Sequence, residues 1–220
     1  MEVTPAGALH SAPKKSFSDW IFSVLSWIFH PVLMIVWVVS YLLYVHPQVF
    51  LGLEASQKNV VLLRVVATAV FLPLMTVVLL KGLGFIDSIL LSSSRERIIP
   101  FVACITFFFW SYYVSKKLGD PFELRAFLLS LFLTASVSLL LNNYFKISMH
   151  GLGLGGANAL LVCMLFAANM RDGFLLALSF FITGLVSTAR IKSGSHHPFE
   201  VYLGYISGFI VQVFAWWFLL

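Results

Sequence analysis

The sequence predicts an all-α fold: a polytopic transmembrane helical bundle of six to seven helices. Of its 220 residues, 60% are hydrophobic and only 10% are charged, whereas a soluble domain carries about 25% charged residues. The mean hydropathy is +0.96. The apolar runs are continuous rather than alternating, which excludes a transmembrane β-barrel.

Seven apolar stretches are candidate membrane spans, because a hydrocarbon core of about 30 Å needs roughly 20 apolar residues per helix. They lie at about 20–45, 60–82, 99–116, 124–145, 151–169, 173–190 and 199–220. His30–Pro31 interrupts the first, so residues 17–29 are predicted to form an interfacial amphipathic helix before a shorter span. Residues 1–16 are predicted to be a disordered N-terminal tail, and residues 17–220 a single transmembrane helical domain.

The net charge and the positions of the cysteines argue against nucleic-acid binding and against a metal site. The net charge of +5 is modest and no basic block is present, so nucleic-acid binding is not expected. Cys104 and Cys163 lie inside apolar runs without a His or Cys nearby, which argues against a metal site. No cofactor is expected.

Three polar islands between the spans are unusual: residues 92–100, 142–150 and 189–205. Two predicted spans separate the first island from the second, and two more separate the second from the third. Because an even number of crossings returns the chain to the same side of the membrane, all three islands are predicted to form one site.

The third island has the features of a helix start. Pro198 suits the first turn of a helix, where its missing N–H costs nothing. His196 would then lie at the N-terminal mouth of that helix, with Glu200 one turn further along on the same face. An ionisable residue that enters an apolar helix is a functional hypothesis by default.

The islands also concentrate positive charge and hydrogen-bonding groups. The basic residues are Arg95, Arg97, Lys146, Arg190 and Lys192, and the second island adds Ser148 and His150. Arginine guanidinium groups match phosphate oxygens in a bidentate way, and a helix N-terminus suits an anion. Two histidines among arginines therefore suggest phosphoryl transfer through a nucleophile and a general acid.

The third island resembles the type 2 phosphatidic acid phosphatase (PAP2) superfamily. That pattern has three parts: K-x6-R-P, then P-S-G-H, then S-R-x5-H-x3-D. Ala189-Arg190, followed after five residues by His196 and after three more by Glu200, matches the third part in spacing, with Ala for Ser and Glu for Asp.

The other two parts match less fully. Ile147-Ser148-Met149-His150 resembles the second part in its Ser and His, with Ile for Pro and Met for Gly. Arg97-Ile-Ile-Pro100 is a loose echo of the first part, and no lysine stands seven residues before Arg95 or Arg97. The resemblance predicts a PAP2-like core over about residues 90–215.

The resemblance implies a metal-independent phosphatase with a phosphohistidine intermediate, acting on a lipid phosphomonoester or a polyprenyl diphosphate. On that pattern His196 attacks phosphorus, Glu200 orients it, and His150 protonates the leaving oxygen. The phosphate oxygens would be held by Arg97, Arg190 and Ser148. Lys146 and Arg95 are our own candidates to replace the missing lysine.

Two alternatives stay open. Met149 is bulky where the family's glycine lets the backbone approach phosphate, so a non-catalytic lipid-phosphate-binding or structural membrane protein on the same fold is the main alternative. A transporter that uses Glu200 as a proton site is less favoured, because Glu200 lies near a helix end whereas transporter sites lie near the midplane.

The expected location is the bacterial inner (plasma) membrane, with the site on the non-cytoplasmic face. Positive-inside counting supports this face narrowly, once the basic residues of the site are set aside. The site's face keeps Lys14, Lys15 and Lys81, and the other face has Lys58, Lys116, Lys117, Arg125 and Arg171. The expected partners are a membrane lipid phosphate and the bilayer, with a homodimer left open.

Four further residues have a structural interpretation. His30, before Pro31, is interpreted as an interior or kink residue, and His197 as a wall or interface residue. Gly151 and Gly155 have the small-xxx-small spacing that favours close helix packing.

Overall fold

The computed structural model describes residues 17–46, 48–86, 95–167 and 173–220, and every regular element in those ranges is a helix. The helices are α1 (Phe17–Ile28), α2 (Pro31–Ser40), α3 (Ala55–Val66), α4 (Leu72–Gly82), α5 (Ile98–Leu118), α6 (Phe122–Leu141), α7 (Met149–Ala167), α8 (Gly173–Lys192) and α9 (Pro198–Leu219). A π-helical turn, Tyr41–Val45, extends α2, and a second, Ala67–Phe71, joins α3 to α4.

Six of the described helices are long and apolar enough to cross a membrane. They are Ala55–Gly82, Ile98–Leu118, Phe122–Leu141, Met149–Phe166, Gly173–Lys192 and Pro198–Leu219, and α1 with α2 forms a bent seventh candidate. The predicted all-α fold with six to seven membrane helices is confirmed, and these helices indicate an integral membrane protein. The predicted tail at 1–16 and the end of the fifth predicted span lie outside the described residues.

Two predicted spans differ at their ends from the helices observed. The second begins at Ala55 rather than near residue 60, because the Gln57 side chain accepts a hydrogen bond from the Glu54 N–H (3.0 Å) and caps a polar first turn. The fourth ends at Leu141 rather than near residue 145, because Asn142 ends the helix and a turn follows.

The first predicted span is broken at His30–Pro31, as the sequence predicts, and α1 and α2 meet at an angle of 56°. Pro31 is the first residue of α2, where a missing N–H is tolerated. The His30 ring nitrogen Nδ1 caps this helix by accepting a hydrogen bond from the Val32 N–H at 3.4 Å. The break leaves α1 packed against α8 rather than extending α2.

Glycines on α7 and α9 bring these two helices into backbone contact. They are Gly151 and Gly155 on α7 and Gly204 and Gly208 on α9. A Cβ added at Gly155 would lie 2.0 Å from the Tyr205 carbonyl oxygen. The predicted close packing of the Gly151–Gly155 pair is confirmed, and α9 contributes a second pair with the same spacing.

The α7–α9 contact sets the direction of both helices. It advances four residues on each helix, from Gly151 against Val201 to Gly155 against Tyr205. The two helices are therefore parallel, and both begin at the same end of the bundle. The Ser148 N–H donates to the Glu200 carbonyl oxygen at 3.2 Å and ties the two starts together.

Candidate functional site

The described parts of the three polar islands meet at one end of the bundle. Arg97, immediately before α5, donates from Nη1 to the Ile147 carbonyl oxygen at 3.3 Å. Ile147 belongs to the second island, and the adjacent Ser148 bonds to the backbone of Glu200 in the third. The even number of crossings predicted this meeting, and helices α5 to α8 provide those crossings.

His196 is held by two hydrogen-bond acceptors on one ring nitrogen. Its Nδ1 lies 2.9 Å from Glu200 Oε2 and 3.2 Å from the Lys146 carbonyl oxygen. Since a carbonyl oxygen can only accept, Nδ1 carries a proton. In the neutral ring, Nε2 is then the basic nitrogen with a free lone pair, which is the atom that a nucleophile needs.

Glu200 has a second function in the local structure. Its Oε2 also accepts from the His197 backbone N–H at 3.1 Å, and the His197 ring nitrogen Nδ1 accepts from the Phe199 N–H at 3.3 Å. These bonds cap the start of α9. His197 is therefore a helix cap, and the cap fixes the carboxylate next to His196.

The environment of His196 favours the neutral ring. The residue is 9% exposed, and this burial lowers its pKa below the usual 6.5. The hydrogen bond and negative charge of Glu200 oppose the change, while the positive charges of Arg190 and Arg97 add to it. At neutral pH the ring therefore keeps the Nε2 lone pair.

Two arginines supply the positive charge next to His196. Burial lowers the pKa of Arg97 and the Arg190 charge acts in the same direction, while Glu200 opposes both. The Arg190 Nε is buried without a hydrogen-bond acceptor among the described residues. A buried N–H donor without an acceptor is unfavourable, so an acceptor oxygen that reached this Nε would stabilise the site.

His150, in the first turn of α7, is bound to α1. Its Nε2 donates to the Ser26 carbonyl oxygen at 3.0 Å, and the residue is 8% exposed. Coulombic interactions link it to Arg190, His30 and His196. The sequence predicted that His150 and His196 share a site, but the Ser26 contact, which leaves only Nδ1 for a substrate, has no sequence signal.

His30 caps α2 at the α1–α2 break, as its interpretation as a kink residue predicts, but it is exposed rather than interior and is also a third histidine of this cluster. Its ring lies edge-on to the His150 ring, with the centroids 5.7 Å apart. Because His30 Nδ1 accepts the bond from Val32, the proton of the neutral ring is on Nε2. The parity argument would have found it, since two spans also separate residue 30 from the first island.

Ser148 is fully buried, at 0% exposure. Its hydroxyl oxygen accepts from the Gly151 N–H at 3.3 Å and caps α7. Helix capping therefore competes with the phosphate-binding role predicted for Ser148.

The other predicted cationic residues lie less centrally. Lys146 contributes its carbonyl oxygen to His196, while no hydrogen bond or ion pair joins its ammonium group to another described residue. Arg95 is exposed. Lys192 lies over the Phe22 ring of α1, with 5.4 Å between Nζ and the ring centroid. The described residues also contain no group of three His, Cys, Asp or Glu side chains that could hold a metal ion.

Fold and site together define a class of protein: an α-helical membrane protein with a cationic, histidine-containing site at one end of its bundle. No protein-family model, curated protein or solved structure matches the chain. The PAP2 resemblance and its core at about 90–215 accordingly stay predictions from the motifs.

Proposed function

We propose that the protein is a metal-independent lipid phosphate phosphatase that hydrolyses a lipid phosphomonoester or a polyprenyl diphosphate through a phosphohistidine intermediate. The observation that carries the proposal is the state of His196. Two acceptors hold its Nδ1–H, which leaves the lone pair on Nε2, and the positive charges of Arg190 and Arg97 act on the ring. The proposed location is the bacterial inner membrane, with the site on the non-cytoplasmic face.

In the first step, His196 Nε2 attacks phosphorus and the bond from phosphorus to the lipid oxygen breaks. His150 takes up a proton on Nδ1 from the acidic phosphate of the substrate, while its Nε2–H stays bound to the Ser26 carbonyl oxygen, and passes that proton to the leaving oxygen. Arg97 and Arg190 stabilise the charge on the phosphoryl oxygens. Glu200 stabilises the positive charge that develops on the imidazole ring of His196.

In the second step, water attacks phosphorus and the bond between phosphorus and His196 Nε2 breaks. His150 takes the proton from the water and returns it to the inorganic phosphate, which leaves. The Glu200–His196 distance of 2.9 Å supports this account. Although glutamate is one methylene longer than the aspartate of the family pattern, it reaches the ring at hydrogen-bonding distance.

The proposal is tested with purified protein in detergent that contains EDTA. Inorganic phosphate should be released from at least one member of a panel of phosphatidate, phosphatidylglycerol phosphate and polyprenyl diphosphates. Release should persist in EDTA because arginines, rather than a metal ion, stabilise the phosphoryl group. Absence of release over the whole panel would contradict the enzymatic proposal.

A specific observation favours a second function, binding of a lipid phosphate without cleavage. His150 Nε2 is bound to Ser26 and the Ser148 hydroxyl caps α7, so two groups expected to act on phosphate are already engaged. Vanadate distinguishes the two functions, because it mimics the pentacoordinate phosphorus of the transition state. A phosphatase should be inhibited by vanadate, whereas a binder should take up lipid phosphate and release nothing.

Replacing His30 with asparagine should lower activity about tenfold, because the variant loses one hydrogen bond from the Nε2–H to a charged head group. Asparagine is a good N-cap residue, so the helix cap should be retained. The measurement is kcat/KM for the lipid phosphate, together with the thermal unfolding midpoint. Unchanged kcat/KM would place His30 outside the site. A loss of kcat/KM that is accompanied by a lower unfolding midpoint would assign His30 a purely structural role.

A further inference from the structure

A lateral groove opens between α2, α7 and α8. Its volume is about 200 Å³. Apolar side chains make up nearly all of its wall, among them Met34, Trp37, Leu154, Leu161, Leu175 and Ile182.

The groove begins just below the candidate site and runs toward the middle of the bundle. Leu154 and Leu161 follow the first residue of α7 by five and twelve positions, or about 8 Å and 18 Å at 1.5 Å per residue. On α8, Ile182 lies eight positions from Arg190, or about 12 Å. Phe29, which precedes His30 in the chain, also lines the groove.

The polar groups on the groove wall already have partners within the protein. Asn158 Nδ2 donates to Thr183 Oγ1 at 2.9 Å and to the Tyr205 hydroxyl at 3.2 Å. The Ser179 hydroxyl donates to the Leu176 carbonyl oxygen at 2.8 Å. The wall therefore presents a hydrocarbon surface to its occupant.

We infer that this groove holds one hydrocarbon chain of the lipid phosphate whose head group lies at the His196 site. The inference rests on the proposed function, and it identifies the substrate class as phosphates on a long acyl or prenyl chain. Two features support this occupant: the apolar wall, and the start of the groove below a cationic cluster. A chain in this groove would place its phosphate at the end of the bundle where Arg97 and Arg190 lie.

The groove affects the orientation of the bound lipid phosphate more than its binding affinity. Lipid tails in a bilayer are as apolar as leucine, so moving a chain from the bilayer into the groove brings little hydrophobic gain. Fixing the chain still limits the positions that the phosphate can take relative to His196 Nε2. A misplacement of about 1 Å can lower a rate about 100-fold, so filling the groove should affect long-chain substrates strongly.

The first test fills the groove with Ser179→Trp and uses Ala177→Trp as the matched control. Both residues are on α8, but Ala177 is exposed and does not line the groove. Ser179→Trp should lower kcat/KM for dioleoyl phosphatidate about tenfold or more, while glycerol 3-phosphate, which has no chain, is turned over as before. Ala177→Trp should change neither. Equal losses on both substrates, or no loss on phosphatidate, would overturn the inference.

The second test does not depend on turnover or on a large side chain. A phosphatidate with a diazirine in its acyl chain is crosslinked to the His196→Asn protein in detergent, and the labelled peptides are sequenced. Label should concentrate on residues 154–161 of α7 and 175–182 of α8. Label spread evenly over the exposed faces of α5 and α9 would overturn the groove assignment. If the wild-type protein releases no phosphate but the label still enters the groove, the phosphatase proposal fails and the chain site stands.

Discussion

Replacing His196 with asparagine is expected to lower phosphate release from lipid phosphates by on the order of 10⁴-fold. Asparagine has no ring nitrogen that can attack phosphorus, so the phosphohistidine intermediate cannot form. The side chain can still occupy the space near Glu200, which keeps the change local. The measurement is phosphate release by purified protein in detergent with EDTA, compared with the wild type.

The adjacent histidine provides the control. His197 is exposed and its side chain caps α9 through the Phe199 N–H. Asparagine preserves such a cap, so His197→Asn should keep activity within about twofold of the wild type and an unchanged unfolding midpoint. Equal losses in the two variants would mean that disruption of the α9 start, rather than loss of a nucleophile, explains the effect.

The pH dependence of kcat/KM gives a second measure of the same ring. His196 attacks in its neutral form, which exists above its pKa, and burial lowers that pKa below 6.5. Activity should therefore be retained as the pH falls through 6.5 and be lost only at lower pH. Arg190→Gln removes a charge that lowers the pKa and should move this acidic limb upward, whereas Glu200→Gln should move it downward.

The second large effect is expected from Gly155→Ala. The added methyl group would lie 2.0 Å from the Tyr205 carbonyl oxygen and 2.9 Å from the Phe209 nitrogen. Both atoms are backbone, so the helices must separate, and overpacking of this kind costs about 3 kcal/mol. Separation of α7 from α9 would also strain the bond between the Ser148 N–H and the Glu200 carbonyl oxygen. We expect a lower thermal unfolding midpoint in detergent and reduced activity.

The adjacent glycine is the matched control for this change. A methyl group added at Gly156 would meet nothing closer than the Gly208 carbonyl oxygen at 3.8 Å, an ordinary contact. Gly156→Ala should therefore match the wild-type midpoint or exceed it slightly, because alanine favours a helix. If the two variants unfold at the same temperature, the close α7–α9 contact does not hold the bundle together.

Much of the fold could be predicted from the sequence, because apolar runs of the length of a bilayer and the parity of their crossings are properties of the chain itself. The same parity brought Arg97, His150 and His196 to one end of the bundle. The spacing of Gly151 and Gly155 also predicted that these residues pack closely against another helix. The glycine pair on α9 was missed, although Gly204 and Gly208 have that same spacing.

The hydrogen bonds within the site could not be predicted, because many of them are made by backbone atoms. The carbonyl oxygens of Ser26, Lys146 and Ile147 orient His150, His196 and Arg97. Backbone acceptors have no side-chain signature in a sequence. The position of α1 is a further case, since the bend at His30–Pro31 follows from the proline but the contact with α8 does not.

The lateral groove could not be predicted from the sequence either. Its wall comes from three helices and the α1–α2 break, and its apolar side chains resemble those that fill the rest of the bundle. Only the separation of α2, α7 and α8 distinguishes a groove from a packed core.

The most direct test of the central claim is detection of the phosphorylated enzyme. Protein is mixed with a lipid phosphate labelled on phosphorus, quenched in alkaline denaturant to preserve an acid-labile bond between phosphorus and nitrogen, and digested for mass spectrometry. The phosphoryl group should be found on His196, should disappear when turnover is allowed to finish, and should be absent in His196→Asn. Release of phosphate without label on His196, or label on another residue, would contradict the account.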